Sequence, residues 1–553
     1  MHRDYDLNIF QYENTIQDTS PTLLAFVSSL VSNGETSKPS LALSQCIQQH
    51  VNKSTNQTSL GLAVKLHHKY GSSDFVSILN QHGILASYDE VLRFRKSAAK
   101  YASENSDVYH RALGLERRMG PIFSWCDNYD LVVFTANGRR ATHAMVTELT
   151  QHPAAATVLP ASATPGVMHL KIPNPRLKKA EAAKLRLAQK SFPVEHYTGP
   201  KNAKPPALPE VAQSRADSKL LSVSLANAQS KDAAYFSQLH SDQPLEWSGF
   251  NARQDRAQVD VHRPKTLCMY GPLIDSPPSH PDTVVTTMDY LKRTLTSLGM
   301  LHVHLTVDMQ LHIVACLIKW NDPTRWKSVI LRPGMMHTLM SFLGTIGYIM
   351  KCTGAEELVG AAYSGLASIF SGKAWPKAMR AFRMVVAALL HDFLQTGEKS
   401  HDDTVAYLEK AREHPTGKLW VDCFINPTLL AHQFLRAERE GDWLLQQHSL
   451  QLMLPYFFAA GHHHYARYIT WHLQDMQHLP QDAKNDFRNG AHVCRHSEGS
   501  AAVSSDQFGE QTYIKQGKQA GGMKGISSNP EQVAVWIESF GVCSQLSMAL
   551  NDM

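Results

Sequence analysis

Residues 301–334, LHVHLTVDMQLHIVACLIKWNDPTRWKSVILRPG, decide the fold. The apolar run LHVHLTVDM ends at Asp308, QLHIVACLIKWNDPTRW carries a helix-like spacing, and KSVILRPG reads as a second strand. Strand, helix, strand in that order predicts two parallel strands lying side by side. Ligand chemistry in such sheets gathers at the carboxyl ends of the strands, and Asp308 stands at that end.

Working outward, residues 1–115 read as an N-terminal helical domain: PTLLAFVSSLVSN, SLGLAVKLHHKYGSSDFVSILNQHG and SYDEVLRFRKSAAKYASE repeat apolar residues every three and four positions. Ser87 with Glu90 forms a capping-box pattern, Gly83 suits a helix stop, and Arg93, Arg95, Lys96 and Lys100 suggest a basic face. Residues 116–172 hold the first β segment. In it PIFSWCDNYDLVVFTANGRRATHAMVTELTQ predicts two strands around Asn137-Gly138, with GVMHLKI (166–172) as a third antiparallel strand. Residues 173–280 form a basic helix and Pro-rich linker, whose Lys178, Lys179, Lys184 and Arg186 are candidates for backbone phosphate contact. Residues 281–334 are the second core segment, 335–490 a helical insertion, and 491–553 the C-terminal helices that complete the core. The expected class is α/β plus large all-α regions.

A chain of 553 residues predicts two or three domains, and 43% hydrophobic content a globular protein. A net charge of +5 permits a nucleic-acid partner without demanding one. The eight cysteines, Cys46, Cys126, Cys268, Cys316, Cys352, Cys423, Cys494 and Cys543, lie singly without a CxxC pair, which suggests reduced intracellular thiols. MHRDYDLNIFQYENT lacks a signal-peptide layout, and the apolar stretch 333–350 contains His, Ser, two Thr and three Gly, so a buried helix is expected rather than a membrane span. The Met and aromatic stripes of the later helices read as core. Neither a Walker pattern nor a GxSxG elbow is present.

The chemistry-bearing residues are three acids in separate contexts: Asp127 in SWCDNYDLVVF, Asp308, and Glu510 in DQFGEQTYIKQGK. Carboxylates from separate elements are what two-metal phosphodiester chemistry with Mg²⁺ or Mn²⁺ requires. Asp130 is an alternative to Asp127 on the opposite strand face, and Asp506 an alternative to Glu510 one helical turn earlier. His337, just past the second strand, is a candidate extra metal ligand or phosphate donor. His462, His463 and His464 are consecutive on a helix and cannot all face one ion. The loop QGKQAGGMKG (516–525), with Lys515, Lys518 and Lys524, suggests contact with a nucleic-acid backbone.

Five blocks, DNYDLVVFTANGRRATHAM, LTVDMQLHIVACLI, LRPGMMHTLMSFLGTIGYIM, LPYFFAAGHHHYARYITWHLQDM and DQFGEQTYIKQGKQAGGMKGIS, resemble successive blocks of a repetitive, transposon-derived open-reading-frame family abundant in invertebrate genomes. That family is similar in block order to a fungal domain of transposon origin, and the resemblance covers residues 80–550 or so. It implies a ribonuclease H-like, DDE-type transposase core on a mixed sheet, with Asp127, Asp308 and Glu510 at the acidic positions. It further implies Mg²⁺ or Mn²⁺ as cofactor, DNA as partner, a nuclear location, and room for a homo-oligomer. Two departures stand out: the chain begins without the paired cysteines of longer relatives, and Tyr513, Ile514 and Lys515 replace an Asn then Arg after the last acid. They put sequence-specific DNA binding and surviving activity in doubt and leave an alternative: a domesticated, non-enzymatic helical DNA-binding or scaffold protein.

Overall fold

The computed structural model describes residues 5–6, 12–52, 57–104, 120–132, 141–152, 171–172, 193–208, 215–238, 249–258, 263–395 (without 272 and 275), 399–518 and parts of 535–550. The chain divides into two compact units, one of Met1–Thr198, Leu267–Val303 and Gly509–Met553, the other of Gly199–Thr266 and His304–Phe508. Both helix-rich regions and strands are present, which places the chain in the α/β plus all-α class.

The first unit begins with the expected helices. Ser72 Oγ accepts the Phe75 N–H (3.0 Å) to cap the helix Ser73–Gln81, and Gly83 takes a left-handed φ of 71° beyond its end. In the helix Tyr88–Glu104, Ser87 Oγ accepts the Glu90 N–H at 3.3 Å, while the Glu90 carboxylate engages Arg93 at 3.0 Å. Arg95 departs from the expected basic face: it is buried, with its guanidinium 3.3 Å from His68 Nδ1.

Strands β1 (Ile122–Val132) and β2 (Ala141–Gln151) pair antiparallel in an unbroken register from Ile122↔Gln151 to Val132↔Ala141. The Asn-Gly turn expected between them lies outside the described residues. The strand on the other side of β2 is β3 (Leu267–Tyr270), with Glu148 opposite Tyr270; of the expected third strand 166–172 only Lys171–Ile172 lie among the described residues. Lys171–Ile172 pairs with Tyr5–Asp6 in a separate two-stranded ladder. Met269 and Tyr270 are 1% exposed, which suits the apolar LCMY run to this place in the sheet.

Alternation along β1 puts Trp125, Asp127 and Tyr129 on one face, and their partners Glu148, Val146 and Ala144 share it. Tyr513, Ile514, Trp536 and Phe540 complete the core on that face. Gly509 and Gly517, eight residues apart and so about two helical turns, permit the close approach. A Cβ on Gly509 would fall under 3.0 Å from the Trp125 indole carbons, and one on Gly517 would lie 2.6 Å from the Tyr129 ring.

In the second unit, β4 (Val303–Val307) and β5 (Val329–Pro333) are neighbours in the sheet and buried at every position, as parallel strands covered on both faces must be. The Gly334 N–H donates to the Val307 carbonyl at 2.7 Å, which joins the two carboxyl ends and makes the pair parallel, as the sequence predicts. We label the helices of this unit α1 (Arg215–Gln238), α2 (Met309–Asn321), α3 (Met335–Ile349), α4 (Asn426–Glu440), α5 (Trp443–Ala459) and α6 (His463–Gln477). Helix α2 is the crossover from β4 to β5. Helix α3 buries Leu339, Phe342, Leu343 and Ile346, and no described helix is long and apolar enough to cross a membrane. Arg436 pairs with Asp232 and Lys231 with Glu440 (3.0 Å), tying α1 to α4 beside the contact of Ala228 with Ala437 and Leu445. The short strands β6 (Val493–Cys494) and β7 (Val503–Ser504) pair antiparallel and lead into the helix Ser505–Gly509.

Gly509→Ala sets an added methyl against the Trp125 ring, so it should lower stability by about 1–3 kcal/mol. Thermal denaturation checks this; an unchanged midpoint would show that the helix and β1 can separate freely.

Candidate functional site

Asp127 is 5% exposed and lies on the β1 face covered by the C-terminal segment. One of its oxygens accepts the Asn128 N–H at 2.7 Å. Glu510, immediately after the close-packed Gly509, opens a π-helical turn, Glu510–Ile514, of the kind that recurs at functional sites. A carboxylate oxygen of Asp127 and one of Glu510 lie within 4.8 Å of each other, so the fold of the first unit brings together two of the three expected acids. Two ionised carboxylates at that separation repel unless a cation or a proton lies between them. The donor set suits a hard, oxygen-seeking ion such as Mg²⁺ or Mn²⁺. The Asp130 side chain lies outside the described residues.

The sequence reading missed Glu148, which is fully buried on the same face opposite Trp125. Burial raises its pKa to about 8, against the hydrogen bonds of Thr512, whose hydroxyl donates at 3.1 Å, and of Cys268. It is therefore a neutral acid at pH 7. The one signal in the sequence is an acid inside a strand, THAMVTELTQ, at a position where strands disfavour charge.

In the second unit, Asp308 closes β4 and is the N-cap of α2, with Oδ1 accepting the Leu311 N–H at 2.7 Å. Burial raises its pKa, opposed by the Leu311 amide and by His337. Asp506, the expected alternative ligand, is fully buried and used otherwise. It accepts the Met336 N–H (3.2 Å) and His337 N–H (3.1 Å) at the start of α3, and the His337 ring at Nδ1 (3.0 Å). Gly334 makes room for it, since a Cβ there would collide with the carboxylate. Burial works to raise the Asp506 pKa, but the His337 ring, Ser504 and the His337 amide outweigh it and hold the group below its ordinary value. Nearby Arg332 on β5 is buried too; burial lowers its pKa to about 10, against Glu438 and Asp506, so it stays charged at neutral pH.

His337 itself is partly exposed, and its carbonyl accepts the Tyr465 hydroxyl at 3.3 Å. His462 is tied to Ser341 at 2.7 Å while His463 and His464 are exposed, so the histidine triplet diverges as its spacing predicts. Lys515 and Lys518 are exposed in the first unit. Lys178, Lys179, Lys184 and Arg186, and residues 519–525 of the glycine-rich loop, lie outside the described residues.

The raised Glu148 pKa fixes a pH dependence. Unfolding frees the acid to ionise at its ordinary value, so between about 4.5 and about 8 unfolding releases a proton and stability falls as pH rises. Glu148→Gln removes that slope. Its stability relative to the wild type should rise across this window by an amount on the order of a few kcal/mol, measured by chemical denaturation at several pH values. A constant difference would place Glu148 in a wetter site.

No curated protein and no solved structure matches the chain significantly. One family does, over residues 246–412 and 398–553, which together exceed half of the chain. The chain therefore belongs to the family described as Domain of unknown function (DUF8702).

Proposed function

We propose that the protein is a transposon-derived, DDE-type transposase or nuclease-like protein that cleaves and joins DNA phosphodiesters in the nucleus, with Asp127, Asp308 and Glu510 as its ion-holding carboxylates and Mg²⁺ or Mn²⁺ as its ions. The observation that carries the reading is the approach of Asp127 to Glu510 within 4.8 Å, a juxtaposition of like charges that a divalent cation relieves. The position of Asp308 at the carboxyl end of a parallel strand agrees with it. When bound, the ions supply an activated water or 3′-hydroxyl and neutralise charge on the leaving oxygen. The chain's own residues hold the carboxylates rigid: Trp125 and Tyr129 against Gly509 and Gly517, and the α2 cap at Asp308. Exposed Lys515 and Lys518 offer charge to the DNA backbone.

A second reading, a domesticated DNA-binding or scaffold protein, draws on the capping duties of Asp308 and Asp506, which are sufficient reason for a fold to keep both acids. Asp308→Asn separates the two readings, because Asn caps a helix about as well as Asp but is a poor ligand for a hard cation. Labelled duplex DNA incubated with Mg²⁺ or Mn²⁺ should be cut at least about a hundredfold more slowly by the variant, with DNA affinity unchanged. Equal inactivity of both proteins, with DNA binding intact, would leave the scaffold reading.

A further inference from the structure

We infer that His337 is an imidazole ligand for a first-row transition ion, shared with Asp308, and that Asp506 is its positioning residue. The inference rests on the metal-dependent reading only for the location of the ion.

Asp506 accepts two backbone N–H groups of the α3 N-terminus, so it acts as an ionised acceptor, and the ring nitrogen 3.0 Å away, Nδ1 of His337, must donate to it. That assignment leaves the lone pair of the neutral ring on Nε2. A carboxylate on the far nitrogen of a histidine is the usual arrangement behind a metal-bound imidazole, where it fixes the tautomer and ring angle and raises ligand basicity. The anchor is rigid: Asp506 is fully buried, seated over Gly334, and flanked by the buried guanidinium of Arg332.

The His337 side chain as a whole is 27% exposed, and its charge and that of Asp308 influence one another. Both residues stand where the carboxyl ends of β4 and β5 are joined by the Gly334 to Val307 hydrogen bond. One carboxylate and one imidazole leave most coordination positions to water or phosphate oxygens, the open arrangement of a catalytic site. Imidazole nitrogen favours the series from Mn²⁺ to Zn²⁺ over Mg²⁺, which prefers oxygen alone.

The test uses the full chain and Mn²⁺ alone, without DNA. Pulsed electron paramagnetic resonance of the Mn²⁺-loaded wild type should show nitrogen modulation from a coordinated imidazole, and His337→Ala should lose it. Asp506→Asn should lower Mn²⁺ affinity roughly 10- to 100-fold although His337 remains, because the amide oxygen must still accept the His337 backbone N–H and the ring loses its anionic partner. A purely structural Asp506 would leave Mn²⁺ affinity unchanged. If His337→Ala does not fold, His337→Gln gives the same readout. Absence of nitrogen modulation in the wild type, or its persistence without His337, overturns the inference. DNA cleavage without nitrogen coupling would defeat this inference alone, and nitrogen coupling without cleavage would defeat the proposed function alone.

Discussion

The approach of the C-terminal helix to β1 is the constraint on which the candidate site of the first unit depends. Two aromatic rings, Trp125 and Tyr129, lie two residues either side of Asp127 on one strand face, and each meets a helix position where only glycine leaves room. The spacing is mutual: Trp125 and Tyr129, four strand residues apart, are separated by about 13 Å, while eight helical residues advance about 12 Å, so two ring contacts along the strand match two glycines along the helix. Glu510 is carried toward Asp127 as a consequence, because it follows the first of those glycines. The approach of the two carboxyl groups is thus set by the apolar packing beside them.

The second unit solves a different problem with the same residue type. Asp308 and Asp506 each satisfy backbone N–H groups at helix starts that would otherwise be buried without partners. At Asp308 the carboxylate accepts the Leu311 N–H at Oδ1 and also bonds the Gln310 N–H, so the group is held in place by the start of α2. At Asp506 both oxygens are engaged by α3 and His337, so its contribution passes through the histidine. Buried Arg332 and Glu438 surround this end of β5, and Gln446 and Glu438 hydrogen-bond beside them, so the charge of Asp506 is balanced without solvent.

What the sequence made legible was local. The strand, helix and strand of residues 301–334 follow from apolar runs and helical spacing, and the hairpin of β1 and β2 from alternation about an Asn-Gly pair. Asp127, Asp308 and Glu510 were visible as acids in unusual settings. The pairing of β2 with β3 was hidden, because a four-residue apolar run far along the chain carries no mark of its partner. The role of Asp506 was hidden for the same reason: its histidine partner is 169 positions away, and only the folded chain shows that its oxygens are taken. Glu148 is marked in the sequence only as an acid inside a strand, and its complete burial shows in the folded chain alone.

Crystals grown with Mn²⁺ and measured at the manganese absorption edge test the central claim most directly. The account places an anomalous peak within about 2.2 Å of a carboxylate oxygen of Asp127 and of Glu510. A map with those two side chains ordered, close together and joined by no metal would contradict it.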